Sequence, residues 1–283
     1  MRPVTRCSAR LCRPRLLIGT LVLLAATGLA LPARATTLCT LIADAATGKV
    51  LSEEGPGCGG RVTPASTFKI PIALMGYDAG ILTDAHAPVW SFKPGFADWR
   101  DAWKRDTDPT YWMKESVVWY SQEITRKLGM ERFRRYVTGF GYGNEDVSGT
   151  PGKQDGLTQS WLSTSLAISP REQAAFLGRM LRGELPVSAH AVAMTGAILR
   201  HGDAGGWTVH GKTGMGFALD AAGKPVRGQP YGWYVGWASQ QGRTLIFARL
   251  DRDASRQETP TSIRAREALL KELPARLDAL AGK

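Results

Sequence analysis

Strand patterns stand at both ends of this chain and are scarce between them. Leu38 to Ala43 and Lys49 to Glu53 are short β-rich runs joined by Ala46-Thr47-Gly48. From about Ile72 to His201 the patterns are mainly helical, with long loops. Strand patterns then return at Trp207 to Gly214, Trp233 to Ala238 and Thr244 to Leu250, the last two joined by Gln240-Gln241-Gly242. Short hairpin connections favour antiparallel pairing. The predicted fold is therefore α+β, with an antiparallel sheet built from N- and C-terminal strands and flanked by helices. A mainly helical insert, about 72–201, interrupts it. Within the insert, Ser169-Pro170-Arg171-Glu172 combines an N-cap serine, a first-turn proline and a capping-box glutamate, predicting a helix to about Leu181 that stops near Gly183. A last helix is predicted from near Thr261, with Leu269, Leu273, Leu277 and Leu280 at helical spacing and Pro274 expected to kink it.

The first 35 residues read as an export signal, with residues 36–283 as the mature domain. Arg2, Arg6, Arg10, Arg13 and Arg15 precede an uncharged apolar run from Leu16 to Leu31, and Ala33-Arg34-Ala35 has small residues where a signal peptidase cuts. The run is short for a membrane span, so no stable membrane anchor is expected. The segment holds six arginines and no acid, so its loss lowers the formal net charge from +11 to +5. No clustered basic recognition motif follows, which argues against nucleic acid; Arg132, Arg134 and Arg135 read as a solvated helix face. Of four cysteines, Cys39 and Cys58 remain after cleavage. In an oxidising compartment they are a candidate disulfide, with two free thiols as the other reading. His86, His190, His201 and His210 lack ligand spacing, and no metal site is expected.

Two short motifs carry chemistry. Ser66 and Lys69 are three residues apart and share one face of a helical or 3₁₀ turn, so the amine can take the hydroxyl proton and make Ser66 a nucleophile. Pro71 disfavours a regular helix at Ile70, which points to a tight turn. One S-x-x-K is expected by chance in a chain of this length, roughly, so the pair alone is weak. Lys212-Thr213-Gly214, on a predicted strand, offers an ammonium, a hydroxyl and a close backbone approach to an anionic substrate. S-x-x-K followed by K-T-G belongs to serine β-lactamases and penicillin-binding proteins. The middle S-D-N motif of class A is missing. Ser116-Val117-Val118, Tyr142-Gly143-Asn144, Trp161-Leu162 and Trp233-Tyr234-Val235-Gly236-Trp237 stand in its place.

With that ordered set the chain resembles the class D (oxacillinase-type) serine β-lactamases from about Leu38 to the last helix. The resemblance implies hydrolysis of β-lactams, conferring resistance, with the following roles. Ser66 is the acylated nucleophile. Lys69 carries a carbamate (N6-carboxylysine), formed from CO2 or bicarbonate with no separate cofactor, and is the general base for acylation and deacylation. Trp161 donates its indole N–H to that carbamate, and Ser116 relays a proton to the lactam nitrogen. Phe68, Val118 and Leu162 wall the carbamate pocket. The N–H groups of Ser66 and Met215 form the oxyanion hole. Lys212, Thr213, Gly214 and Arg264 bind the substrate, whose carboxylate meets Lys212, Thr213 and Arg264. Trp103 is an aromatic residue at the rim, and Tyr142 and Asn144 are structural. The implied location is the bacterial periplasm, as a monomer or homodimer.

Elementary chemistry agrees with these roles. A lysine reacts with CO2 only as the neutral amine, and apolar burial lowers its pKa. Taken singly, Trp161 reads as a core tryptophan, Ser116 as a helix cap, Tyr142-Gly143-Asn144 as a turn and Arg264 as a surface residue. Two other readings share the motifs. A β-lactam sensor domain or a penicillin-binding D,D-peptidase would be acylated without fast turnover.

Overall fold

The computed structural model describes residues 35–220 and 224–281, with Met1, Pro3 and Val4. Most of the expected export signal lies outside the described residues. The described residues from Ala35 onward belong to one compact unit.

Period-two alternation in the strands sorts their side chains onto two faces. Strand β1 (Thr36–Asp44) sends Cys39, Leu41 and Ala43 to one core and Ile42 to another. Strand β2 (Val50–Glu54) pairs beside it. The insert follows, as α1 (Lys69–Asp78), α2 (Pro109–Glu115), α3 (Val118–Gly139), α4 (Gly156–Gln159), α5 (Pro170–Leu181) and α6 (Ala189–Leu199). The chain then returns through β3 (Arg200–Ala204), β4 (Trp207–Leu219), β5 (Pro225–Gln240), β6 (Arg243–Arg252) and α7 (Thr261–Ala281). The six strands form one antiparallel sheet in the order β2-β1-β6-β5-β4-β3. Strands from the two chain ends thus share it, as expected.

The sheet divides two apolar layers. On one face Trp233, Val235, Trp237, Ile246, Ala248 and Leu250 pack with the helical insert. On the other, Tyr234, Leu245 and Phe247 meet Leu269, Leu273, Leu277 and Leu280 of α7. Each leucine so buried contributes about 2 kcal/mol. The helix runs through Pro274 to Ala281, and Leu273 and Leu277 on either side are equally buried. Cys39 and Cys58 form a disulfide with Cα atoms 4.9 Å apart, tying β1 to the segment after β2. Closing that loop is worth about 3 kcal/mol.

Three elements depart from the sequence-based expectation. Strand β3 was not anticipated, because Arg200, His201 and Asp203 make it polar; short charged strands are what a sheet edge tolerates. The insert's first helix begins at Lys69, not Ile72, and takes Pro71 into its first turn, where a backbone N–H has no helical acceptor. The predicted connection from Met215 to Tyr231 is mostly a β4–β5 ribbon paired out to Leu219 and Pro225. Gly216, Gly228 and Pro230 hide that ribbon from a propensity reading. Among the described residues no helix is long and apolar enough to cross a membrane.

Candidate active site

Ser66 sits in a 3₁₀ turn, Ala65–Phe68, immediately before α1. The turn that carries Ser66 is thus tight, as expected, although Ile70 and Pro71 themselves are helical. Ala65 has φ +49°, a left-handed conformation costing about 1 kcal/mol or more, which the surroundings must hold in place. They do so from two sides. Behind the turn, Thr67 Oγ1 donates to the Pro64 carbonyl at 2.7 Å and accepts from Gln173 Nε2 of α5 at 2.9 Å. The Tyr142 hydroxyl donates to Gln173 Oε1 at 3.3 Å. In front, Gly214 of β4 lies so close that a Cβ there would sit 2.8 Å from the Pro64 carbonyl oxygen and 2.9 Å from the Thr67 nitrogen. Only glycine lets that strand approach the nucleophile.

Lys69 is fully buried, and its Nζ lies 3.4 Å from Ser66 Oγ. Burial, and secondarily the charge of Lys212, hold its pKa well below the ordinary lysine value. Phe68 stacks on Trp161 with ring centroids 5.6 Å apart and meets Phe133 and Tyr142 edge-on. Val118 belongs to the same apolar cluster, and half-buried Leu162 packs against it. The Trp161 indole N–H is buried and has no hydrogen-bond partner in the protein. A buried donor left unused is costly, so its position calls for an acceptor.

Ser116 is the C-cap of α2 and is itself left-handed, at φ 61° and ψ 36°. The Lys212 ammonium donates to Ser116 Oγ at 3.1 Å and to the Thr213 carbonyl at 3.0 Å. Burial, with Arg266 and Arg100 nearby, lowers the Lys212 pKa to about 7, against a smaller opposing pull from Glu115. On β4 the Phe217 N–H points away from β5, toward Ser163 Oγ at 3.4 Å. In an antiparallel strand alternate N–H groups share a direction, and the β4–β5 register is unbroken from Thr208 to Phe217. The Met215 N–H therefore also points to the open edge, beside the nucleophile turn that Gly214 touches.

A cavity of about 380 Å³ adjoins Lys212 and Thr213. Lys114, Arg200, His201 and Arg266 also line it, and no acidic side chain does. Tyr234, another lining residue, has a buried hydroxyl without a partner. The cationic lining suits an anion; it meets the motif residues at Lys212 and Thr213 and does not include Ser66.

Two expected site residues have other work. Arg264 is ion-paired with buried Asp253, and its Nε donates to the Thr259 carbonyl at 3.2 Å. Of the two arginines on this helix, Arg266 is the one that lines the cavity, and its paired acid is exposed Glu267 at 3.7 Å. Two positions along a helix are about 200° apart, so only one of the two can face the site. Trp103, expected at the rim, is 4% exposed, whereas Trp99, 5.8 Å away ring to ring, is 63% exposed. Asn144 accepts from the Ala167 N–H at 2.9 Å and donates to the Ser165 carbonyl at 2.8 Å, tying its turn to the loop after Trp161. Sequence reasoning missed Gln173 and Arg266. A glutamine among Ala174, Phe176 and Leu177 on the buried face of a capped helix was a usable signal for the first.

A penicillin binding protein transpeptidase domain matches residues 38–274. The β-lactamase OXA-9 of Klebsiella pneumoniae is 48% identical over 238 residues, spanning 83% of this chain and 86% of the relative. The β-lactamase OXA-1 of Escherichia coli is 36% identical over 212 residues, spanning 74% of each. The crystal structure of the OXA-427 class D β-lactamase superposes with a TM-score of 0.82 at 50% identity, covering 87% of this chain and all of that one.

Proposed function

The chain belongs to the class D serine β-lactamases, which open β-lactam rings through a serine acyl-enzyme, and we propose on that premise a role for each residue of the site. The observation that carries the reading is a fully buried Lys69 with lowered basicity, beside Ser66 and directly after Phe68, whose ring stacks on Trp161 with its unused indole N–H. A neutral amine can take up CO2, and the resulting carboxylate would meet the donor that Trp161 lacks a partner for. When present, that carboxylate supplies a general base for acylation and deacylation.

The protein's own groups do the rest. Ser66 Oγ attacks the lactam carbonyl as its proton leaves toward Lys69. The N–H groups of Ser66 and Met215 stabilise the developing oxyanion, an effect typically worth several kcal/mol, roughly. As the carbon–nitrogen bond breaks, Ser116 passes its proton to the lactam nitrogen and is re-protonated from Lys212. Lys212, Thr213 and Arg266 hold the substrate carboxylate, and Gly214 leaves room for the substrate against β4. Phe68, Val118 and Leu162 limit water around Lys69. Residues 1–35 export the chain to the periplasm, a reading supported by the Cys39–Cys58 bond, which persists in oxidising compartments.

The test is hydrolysis of a chromogenic cephalosporin by residues 36–283, with and without added bicarbonate, followed by intact mass. Turnover that rises with bicarbonate and vanishes in Lys69→Ala supports the proposal. A stable adduct on Ser66 without turnover would instead mark a sensor or a penicillin-binding protein.

A further inference from the structure

Trp103 ends a 3₁₀ turn, Asp101–Trp103, that packs against the C-terminus of α2. Its indole N–H donates to the Glu115 carbonyl oxygen at 3.0 Å. The Arg100 guanidinium donates to the same oxygen at 3.3 Å, with another nitrogen 3.7 Å from the Glu115 carboxylate. The turn is itself fixed, because Trp119 of α3 donates its indole N–H to the Trp103 carbonyl at 2.9 Å.

The Glu115 carbonyl and the Ser116 N–H belong to one peptide plane. Trp103 and Arg100 hold one side of that plane, and the Ser116 N–H donates to the Trp112 carbonyl on the other. Pinning both sides restricts turning of the plane about its Cα–Cα axis, and with it the ψ of Glu115 and the φ of Ser116. The latter angle is +61°, in a region where a serine does not rest unaided. From it the side chain places Oγ 3.1 Å from Lys212 Nζ. A plane held only at its Ser116 N–H would be freer to turn; the Trp103 and Arg100 donors on the Glu115 carbonyl oppose this.

We infer that Trp103 is a positioning residue, whose indole N–H sets the Glu115–Ser116 peptide plane and so aims Ser116 Oγ at Lys212 and the lactam nitrogen. The inference rests on the reading of Ser116 as a proton relay. A buried ring with a satisfied N–H has little left to offer a substrate, whereas a carbonyl held one residue before Ser116 bears directly on that hydroxyl.

The experiment is a double-mutant cycle of Trp103→Phe and Ser116→Ala on penicillin hydrolysis, with Tm measured on every variant. Trp103→Phe keeps most of the ring and removes the donor. It is expected to lower kcat roughly ten- to a hundredfold with little change in KM, as a misplaced group does. In the Ser116→Ala background it should cost nothing more. If Trp103→Phe fails to fold, β-(3-benzothienyl)alanine at position 103 replaces the N–H by sulfur in an isosteric ring and is held to the same outcomes. An additive loss in the double variant, or a raised KM at unchanged kcat, overturns the positioning role and returns Trp103 to substrate contact. Wild-type kcat in Ser116→Ala overturns the reading of Ser116 first, and the purpose given to Trp103 with it.

Discussion

Lys69 and Lys212 are both buried and each lies within reach of a serine hydroxyl, yet their surroundings prepare them for opposite work. Lys69 has Ser66 Oγ at 3.4 Å and directly follows Phe68, whose ring stacks on Trp161. Lys212 donates to two oxygens, Ser116 Oγ and the Thr213 carbonyl, and faces a cavity lined by other cations. Burial lowers the basicity of both amines. The difference lies in the partners. Acceptors favour the charged form of Lys212, whereas Lys69 has little to compensate a charge and has Lys212 beside it to oppose one. On the proposed reading, one amine is thereby suited to take up CO2 and the other to meet an anionic substrate. Depth in the core does not separate them; acceptor count does.

The contrast breaks most directly by removing each amine. Lys69→Ala should lower kcat about 10⁴-fold or more, unresponsive to bicarbonate, as loss of the base that activates a serine does. Lys212→Ala should lower kcat/KM for carboxylate-bearing substrates roughly a hundredfold and keep its bicarbonate response; steady-state kinetics with and without bicarbonate checks both. Equal, bicarbonate-independent losses would erase the distinction. A smaller effect is expected from Trp161→Phe, about ten- to a hundredfold in kcat at ambient CO2. Added bicarbonate should restore part of that loss, and an absence of any loss would remove Trp161 from the site.

The pH profile sharpens the comparison further. Lys212 has a pKa of about 7, so its charge is present below that value and lost as pH rises through it. The kcat/KM for anionic substrates, which reports the free enzyme, should fall on the alkaline side. Lys212→Arg should move that fall upward, because a guanidinium keeps its proton. The smallest change in activity separates two arginines. Arg266→Ala should raise KM severalfold with Tm nearly unchanged, on the order of a lost exposed charge contact. Arg264→Ala should leave KM alone and lower Tm, because buried Asp253 loses its partner. Thermal melts and KM on the two variants decide the assignment.

Much of this was legible in the residues themselves. The order of strand and helix patterns led to the shared sheet, because period-two and period-3.6 patterns are local properties. Ser169 and Glu172 announced a capping box that is fully formed. Ser66, Lys69, Ser116 and Lys212 could be named because their motifs are short and ordered along the chain. What stayed hidden depends on direction in space. Arg264 and Arg266 share a helix and a charge, and only the helix's rotation decides which one lines the cavity. Trp103 has the chemistry of a rim aromatic, but its N–H found the Glu115 carbonyl, a backbone group that leaves no trace in the sequence. Strand β3 was masked by the charges that suit it to an edge.

On the proposed mechanism, Lys69 is the residue that takes up CO2. Carbon-13 NMR of residues 36–283 equilibrated with labelled bicarbonate tests it most directly. One carbamate carbonyl resonance is expected, absent in Lys69→Ala, unchanged in Lys212→Ala and weakened in Trp161→Phe. A resonance that survives Lys69→Ala, or none at all in an enzyme that turns over β-lactams at full rate, would contradict it.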